Sequence, residues 1–190
     1  MSVVHSLDWH EGEEIMHRKL RQPHLDNPTI STLSHQAMVM LERAPLIAIG
    51  CLDTDSRPWT TLVGGEMGFS QTLARGVIGM RTPVAARHDP VIEALLGKEA
   101  RGEVVKEEGE GRMIGGLAIN LETRKRVKLY GRMIAGALGS SGSQASFDGE
   151  AKHTEMQLAV RIDQSLGKSC RHRLCIVHPL TSIRQLSEVS

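Results

Sequence analysis

The sequence predicts a mainly β fold of the α+β class, in which six short strands form an antiparallel barrel with two or three peripheral helices. Three observations predict it. Short apolar runs bounded by turn-forming residues recur along the chain. Helical spacing of apolar residues is confined to a few short segments. The length of 190 residues fits a domain that can bury a core without disulfides or metals.

The predicted helices are short and have recognisable ends. Residues 9–20 carry acids at the start and bases at the end, which suits the helix dipole. Residues 33–44 place apolar side chains on one face, and Ser34 is a candidate N-cap. Residues 89–96 begin with an aspartate and a proline, which favours a third helix.

The predicted strands alternate with polar or glycine-rich connections. Residues 45–53 and 57–63 flank a turn and form a hairpin. The glycine-punctuated residues 64–72 and the acidic residues 103–111 are predicted loops. The other strands are predicted at 75–82, 113–121, 124–138 and 154–163, and residues 139–149 form a flexible loop rich in glycine and serine.

Composition excludes several classes of function. The formal charge is +1, so no strong overall field attracts nucleic acid or anionic lipid. Aromatic residues make up 3% of the chain, which disfavours base stacking. Three cysteines without framework spacing, and no apolar run long enough for a leader or a span, predict a cytoplasmic protein with no membrane partner.

The sequence lacks the motifs of metal sites, nucleotide-binding sites and hydrolases. The cluster Cys170, His172, Cys175 and His178 lacks the folded loop that separates two zinc-ligand pairs, so we expect no metal site. There is no P-loop, no nucleophile elbow and no dinucleotide fingerprint after a strand.

The stretch DTDSRPWTTLVGGE, residues 53–66, differs from an ordinary barrel strand. Arg57 is the first residue of the predicted strand, Thr60 and Thr61 are adjacent, and two glycines follow. Guanidinium and hydroxyl groups suit a phosphate. The glycines allow either close approach of a ligand or a simple bulge.

The stretch RKRVKLYGR, residues 124–132, has five basic residues and no acid. As a strand it places cations on one face and apolar residues on the other. If neighbouring strands bring Arg57 or Arg81 close to Arg126, the three could converge on one anion. A solvated, basic edge strand that discourages edge pairing is the alternative. The basic face is Arg124, Arg126, Lys128, Tyr130 and Arg132, and the apolar face is Val127, Leu129 and Met133.

The order of RPWTTLVGGEMGF, GVIGMRT, GRMIGGLAINLETRKRVKLYGRM and QLAVRIDQSLG resembles the pyridoxamine 5′-phosphate oxidase-like proteins, the FMN-binding split β-barrels. The resemblance covers roughly residues 9–167. It is nearest to the branch in which this domain occurs alone or fused to a ferredoxin-reductase-like module.

The resemblance implies a homodimer with FMN at the subunit interface; FAD or a deazaflavin is the less favoured cofactor. Arg57 matches the arginine that starts the strand beneath the flavin. The next matching strand supplies phosphate ligands, and the basic strand supplies cations near the ring. The implied cofactor-binding residues are Arg57, Thr60, Thr61, Met80, Arg81, Thr82, Arg126 and Lys128.

The resemblance also implies an organisation into three parts. Residues 1–44 form an N-terminal helical segment and residues 45–167 form the split barrel. Residues 168–190 are a divergent tail, either disordered or the product of a mis-predicted terminus. A basic C-terminal segment that contributes to substrate recognition in the true oxidases is missing.

The predicted function is that of an FMN-dependent oxidoreductase on a small substrate that the sequence does not name. A separate flavin or ferredoxin reductase is the candidate electron donor. The alternatives are a flavin-binding or stress-related module without turnover, and a barrel without cofactor. No catalytic residue is assigned.

Overall fold

The computed structural model describes residues 6–84, 88–97, 102–107, 109–140 and 154–167. The predicted tail at 168–190, with its cysteine and histidine cluster, lies outside the described residues, as does most of the predicted loop at 139–149.

Three helices form where the sequence predicts them: α1 (Glu11–Lys19), α2 (His35–Arg43) and α3 (Pro90–Leu96). The Ser34 hydroxyl accepts a hydrogen bond from the backbone N–H of Ala37 at 3.1 Å, which confirms it as the N-cap of α2. Asp89 caps α3 by accepting from two backbone N–H groups. In the described part of the chain, no helix has the length and apolar character needed to cross a membrane.

The described residues form eight strands, two more than predicted. The additional strands are β3 and β5, which lie in segments predicted as loops. The hairpin of β1 and β2 is confirmed. The strands are β1 (Leu46–Leu52), β2 (Pro58–Gly64), β3 (Ser70–Ala74), β4 (Val77–Val84), β5 (Val104–Lys106), β6 (Met113–Asn120), β7 (Lys125–Ser140) and β8 (Thr154–Gly167).

The strands form one antiparallel sheet in the order β2-β1-β6-β7-β8-β4-β3, with β5 paired to β7. The long strand β7 therefore has partners on both edges. This contradicts the interpretation of the basic stretch as an edge strand. Register shifts after Tyr130 and Met133 bend β7. At Gly131 an added Cβ would lie 2.2 Å from the Arg161 carbonyl oxygen, so only glycine fits this bend.

The core lies between the curved sheet and the helices. It contains the inward side chains of the strands together with the apolar faces of α2 and α3. The predicted two-faced pattern of β7 is confirmed, because Val127, Leu129 and Met133 are buried whereas Arg126 and Lys128 are exposed.

The N-terminal segment is attached to the end of the last strand. The backbone groups of Ile30 and Ser165 exchange two hydrogen bonds, of 3.0 and 2.9 Å. The Ser165 hydroxyl donates to the Thr32 carbonyl oxygen. This segment is thus held to the barrel by polar as well as apolar contacts.

Candidate functional site

The structure does not bring Arg57, Arg81 and Arg126 together within one chain. Arg57 lies at the β1–β2 turn, next to Pro58, which pairs with the last residue of β1. Arg126 lies opposite Ile119, which pairs with Leu46 at the first residue of β1. The two arginines are therefore about 20 Å apart along the strand direction. The predicted convergence on one anion is wrong for the single chain.

Arg81 is also far from Arg126. Arg81 pairs with Gln157 of β8, whereas Val127, the neighbour of Arg126, pairs with Gly167. Gln157 and Gly167 are ten positions apart on β8. The two cations therefore lie near opposite ends of β8.

The turn at Arg57 is held by a network centred on the Asp53 carboxylate. This group accepts from the Trp59 indole N–H at 2.9 Å and from Arg57 Nε at 2.7 Å. It also accepts from the backbone N–H groups of Asp55 and Arg57. These bonds, the Trp59 bond first, hold the pKa of Asp53 well below its ordinary value. Arg57 also pairs with Asp55 at 2.8 Å, so its charge is balanced locally.

The other predicted residues of β2 and β4 are mostly engaged in the fold. Thr61 donates to Asp89, the cap of α3, and the buried Thr82 donates to the Gly64 carbonyl oxygen. Met80 is 4% exposed and packs in the core. Thr60 is exposed in β2 opposite Gly50. A role for these residues in binding a cofactor stays a prediction.

Gly64, the last residue of β2, and Gly65, which follows it, are needed for close packing of the chain itself. A Cβ on Gly64 would lie 2.7 Å from the Pro45 carbonyl oxygen, and one on Gly65 would lie 2.8 Å from the Phe69 Cβ. Close packing against the chain itself therefore accounts for both glycines. Gly65 also borders a cavity on the outer side of the sheet.

That cavity, the outer trough, has a volume of about 600 Å³. It lies over β3, β4, β8 and the second half of β7, and it includes two predicted residues, Met80 and Arg81. Its volume falls within the range of roughly 300–1,000 Å³ that is typical of small-molecule sites. The residues that shape it are Gly65, Leu73, Gly79, Arg81, Val104, Ala135, Ala137, Glu155, Gln157 and Ala159.

The trough has a floor of small residues because of the sheet register. Gly79 pairs with Ala159, and Ala159 pairs with Ala135. Two positions further along β7, Ala137 pairs with Gln157 of β8, and both side chains point to the same outer face. Successive side chains on a strand point to opposite faces, so these residues share the outer face. Leu73 packs over Gly79, where an added Cβ would lie 2.7 Å from Leu73 Cδ1, and it forms a wall. The result is a flat apolar floor.

A charged group borders this floor. Arg81 Nε donates to Glu155 Oε1 at 2.6 Å, and Gln157 Nε2 donates to the same oxygen at 3.0 Å. The Arg81 bond, and then the Gln157 bond, lower the pKa of Glu155, which keeps the carboxylate ionised. Among the described residues only Glu155 bonds the Arg81 guanidinium, and it does so through Nε. The terminal NH₂ groups of Arg81 remain available as donors.

Arg126 lines a different cavity, the α2 cavity, of about 610 Å³, between α2 and the hairpin that joins β6 to β7. Lys128 is exposed on the same strand but does not border this cavity. The predicted cofactor residues are thus distributed over the β1–β2 turn, the outer trough, the α2 cavity and the core.

Sequence reasoning missed most of the trough. Glu155 and Gln157 could have been noticed as the outward residues of the alternating strand β8. Ala135, Ala137 and Ala159 gave no signal, because small apolar residues are common in strands of any function. Only the register, which joins distant segments, places them side by side.

Comparison with known proteins gives weak likenesses. No protein-family model and no curated protein matches the sequence. A solved structure from Lactobacillus delbrueckii, whose description names pyridoxamine 5′-phosphate oxidase, has 10% identity and a TM-score of 0.42; the match covers 72% of this chain and 94% of that one.

Two further solved structures are similar at the same level. One, described as an F420 reductase, has 8% identity and a TM-score of 0.46, over 70% of this chain and 98% of that one. The other, an FAD and heme binding protein from Mycobacterium smegmatis, has 13% identity and a TM-score of 0.38, over 75% of each chain. At these scores the likenesses assign no cofactor and no activity to this chain.

Proposed function

We propose that the protein binds a flavin, with FMN as the first candidate, and works as an oxidoreductase of the pyridoxamine 5′-phosphate oxidase-like type on a small substrate. The observation that carries the proposal is the outer trough, where a flat floor of glycine and alanines lies beside an arginine with free donors. FAD and a deazaflavin are the other candidate cofactors.

The residues of the trough fit a planar ring with a phosphate. Ala135, Ala137 and Ala159 carry no side chain that would hold a ring away from the sheet, so the ring can contact the floor over its whole face. The Leu73 and Val104 side chains, both largely exposed, can cover its edges. Burial of their apolar surface would stabilise the complex.

The polar edge supplies orientation. The terminal NH₂ groups of Arg81 can donate to phosphate oxygens, while Glu155, which also accepts from Gln157, holds the guanidinium through Nε. The ionised Glu155 repels an anion, so it favours a phosphate on the far side of Arg81. Arg81 is therefore a positioning group that selects a phosphorylated ligand over its uncharged relative.

Bound flavin would supply transfer of hydride or electrons, and the chain would supply position and electrostatics. With a flavin bound, the floor would exclude water from one side of it and would leave the other side open to a substrate. No side chain at the trough is assigned to proton transfer. A separate flavin or ferredoxin reductase is the proposed source of electrons.

We also propose a homodimer. The outer face of β2, β1 and β6 presents an apolar surface, the outer apolar face, which is defined by Leu52, Leu62, Met113, Ala48 and Leu117. Leu62 is 65% exposed and Leu52 is 45% exposed. Exposed apolar surface of this kind is typical of protein interfaces.

The alternative function is a flavin-binding or stress-related module without turnover, or a barrel without cofactor. Anaerobic reduction by NADH, NADPH or an added reductase separates an enzyme from a passive binder. Bleaching of the flavin absorbance followed by reoxidation with a substrate supports the enzyme. Flavin that stays oxidised supports the module.

The binding proposal is tested by titrating the protein with FMN and with riboflavin and following flavin fluorescence. Ala159→Leu fills the floor and should weaken both ligands about tenfold or more, because overpacking costs roughly 1–3 kcal/mol. Arg81→Gln should weaken FMN and leave riboflavin unchanged, since riboflavin lacks the phosphate.

The matched control is Ala74→Leu, an exposed site at the end of β3 that does not border the trough. It should bind both ligands like the parent protein. Equal effects of Ala74→Leu and Ala159→Leu, or no saturable binding of FMN, FAD or F420 to the parent, would refute the proposal.

A further inference from the structure

The α2 cavity is lined by a basic surface without acids. Arg43 of α2 and Lys125 and Arg126 of β7 border it, and none of the described residues that line it is Asp or Glu. None of the three cations has an ion-pair partner among the described residues. Like charges gathered in this way repel one another, so an anion between them lowers the electrostatic energy.

Apolar residues also line the cavity. Val39 and Met40 of α2 and Val127 of β7 contribute aliphatic surface, as does Ile30 of the N-terminal segment. Gln36, Met40 and Arg43 lie at positions i, i+4 and i+7 of α2, which places them on one side of the helix. At a rise of 1.5 Å per residue, the cavity follows α2 for about 10 Å from Gln36 to Arg43.

We propose that the α2 cavity binds a small amphiphilic anion, a molecule with an elongated apolar body and a carboxylate or phosphate head. The head lies among Arg43, Lys125 and Arg126, and the body lies along Val39 and Met40. Guanidinium groups bind carboxylates and phosphates through paired hydrogen bonds. This site is separate from the outer trough, with which it shares no residue.

A polar pair at the β6–β7 hairpin adds a neutral donor. The Asn120 side-chain oxygen accepts from the Thr123 backbone N–H at 2.8 Å and from the Thr123 hydroxyl at 2.9 Å. These two bonds fix the orientation of the amide, and its NH₂ group is left to donate to the head of the ligand. The backbone turn therefore prepares this donor before any ligand arrives.

Neither the described residues that line the cavity nor the residues just after Gly167 supply a matching anion. Gly167 borders the cavity, and the residues that follow it, KSCRHR, carry three full positive charges and no acid. A cationic segment does not neutralise a cationic rim. Charge complementarity thus favours a separate anionic molecule as the occupant.

The test is calorimetric titration of the full chain with decanoate and with decyl phosphate, below their micelle concentrations, with decanol as the uncharged relative. We expect saturable binding of one molecule per chain for an anion and none for decanol. Tighter binding of decanoate identifies a carboxylate as the preferred head group, and tighter binding of decyl phosphate identifies a phosphate. The double variant Arg43→Gln/Arg126→Gln should weaken binding roughly tenfold or more.

Arg124→Gln is the matched control, because it removes the same charge from the same hairpin at an exposed residue that does not line the cavity. It should bind like the parent. Equal weakening by the control and the double variant would overturn the site, as would equal binding of decanol or the absence of saturable binding.

Titration of FMN into the same variants separates the two proposals. FMN affinity should be unchanged in Arg43→Gln/Arg126→Gln, and saturating FMN should not displace decanoate. Displacement would show that the α2 cavity is part of the flavin site and would overturn its independence. If Ala159→Leu and Arg81→Gln weaken FMN binding but bind decanoate like the parent, the two sites are independent, as proposed.

Discussion

Arg57 and Asp53 illustrate at the scale of single residues how a signal in sequence can have a structural origin. Arg57 beside two threonines suggests a phosphate site, yet its guanidinium is bonded to Asp53 and Asp55. The Thr61 hydroxyl of the same segment is bonded to Asp89. The Thr82 hydroxyl of β4 is bonded to the backbone carbonyl oxygen of Gly64. Residue types that suit an anion also suit a tight turn, and sequence alone does not distinguish them.

The Asp53 network leads to a pH-dependent prediction. Because its folded pKa is depressed, Asp53 stabilises the fold above its ordinary value of 3.8, and this contribution is lost as the pH falls further. Asp53→Asn should therefore lower the urea midpoint at pH 7 and at pH 5 by the same amount. The difference from the parent should shrink below pH 3.8.

The measurement is urea unfolding followed by circular dichroism between pH 7 and pH 3. Asp8→Asn serves as the control. Asp8 accepts a hydrogen bond through its backbone carbonyl oxygen, whereas Asp53 accepts through its carboxylate. The midpoint of Asp8→Asn should follow the parent at every pH. A difference for Asp53→Asn that stays constant down to pH 3 would contradict the proposed role of the carboxylate charge.

At the scale of elements, the strands that were predicted have one buried face and turn residues at both ends. The strand β3 was missed because its pattern is inverted: Ser70 faces inward and is buried, whereas Leu73 faces outward. Periodicity assumes that apolar residues mark the buried face. The strand β5 was missed because it has only three residues between glutamates, too few for any periodicity.

The helix α3 depends on one capping residue that also joins it to the sheet. Asp89 accepts from the N–H groups of Val91 and Ile92, and Thr61 of β2 donates to it. Asp89→Ala should lower the free energy of unfolding by about 1–2 kcal/mol. Thr61→Val should cost less, because the cap itself remains.

A double-mutant cycle of Asp89→Ala and Thr61→Val measures the coupling by urea denaturation. The double variant should be little worse than Asp89→Ala, since the Thr61 bond has already been lost. Fully additive costs would show that the two side chains act independently and that the bond contributes nothing.

At the scale of the whole molecule, sequence could indicate the class of fold but not where its strands meet. The antiparallel strands, the β1–β2 hairpin and the faces of β7 follow from local patterns. The distance between Arg57, Arg81 and Arg126 depends on register between segments far apart in the chain, and a strand gives no signal of its partner's register. The trough and the α2 cavity are likewise products of long-range pairing.

The outer apolar face predicts the oligomeric state. Leu62 lies near its centre, beside Ala48, which in turn lies beside Leu117. Leu62→Asp should convert a dimer into a monomer, because a carboxylate buried in an apolar interface loses its hydration. Light scattering coupled to size-exclusion chromatography measures the mass.

Leu121→Asp is the control for this change. Leu121 is 71% exposed, slightly more than Leu62, but it lies in the β6–β7 turn, beyond the end of β6. The control should remain a dimer. A monomeric parent protein, or a Leu62→Asp variant that is still dimeric, would show that the face is not the interface.

The contact of Thr32 with Ser165 bears on the order in which parts of the chain fold and unfold. The two residues are 133 positions apart, and closing a flexible loop of that length costs about 4 kcal/mol of chain entropy. A few hydrogen bonds do not repay that cost while the intervening chain is unfolded. We therefore expect the stretch from Ile30 to Thr32 to dock after the sheet has assembled and to detach ahead of any global opening.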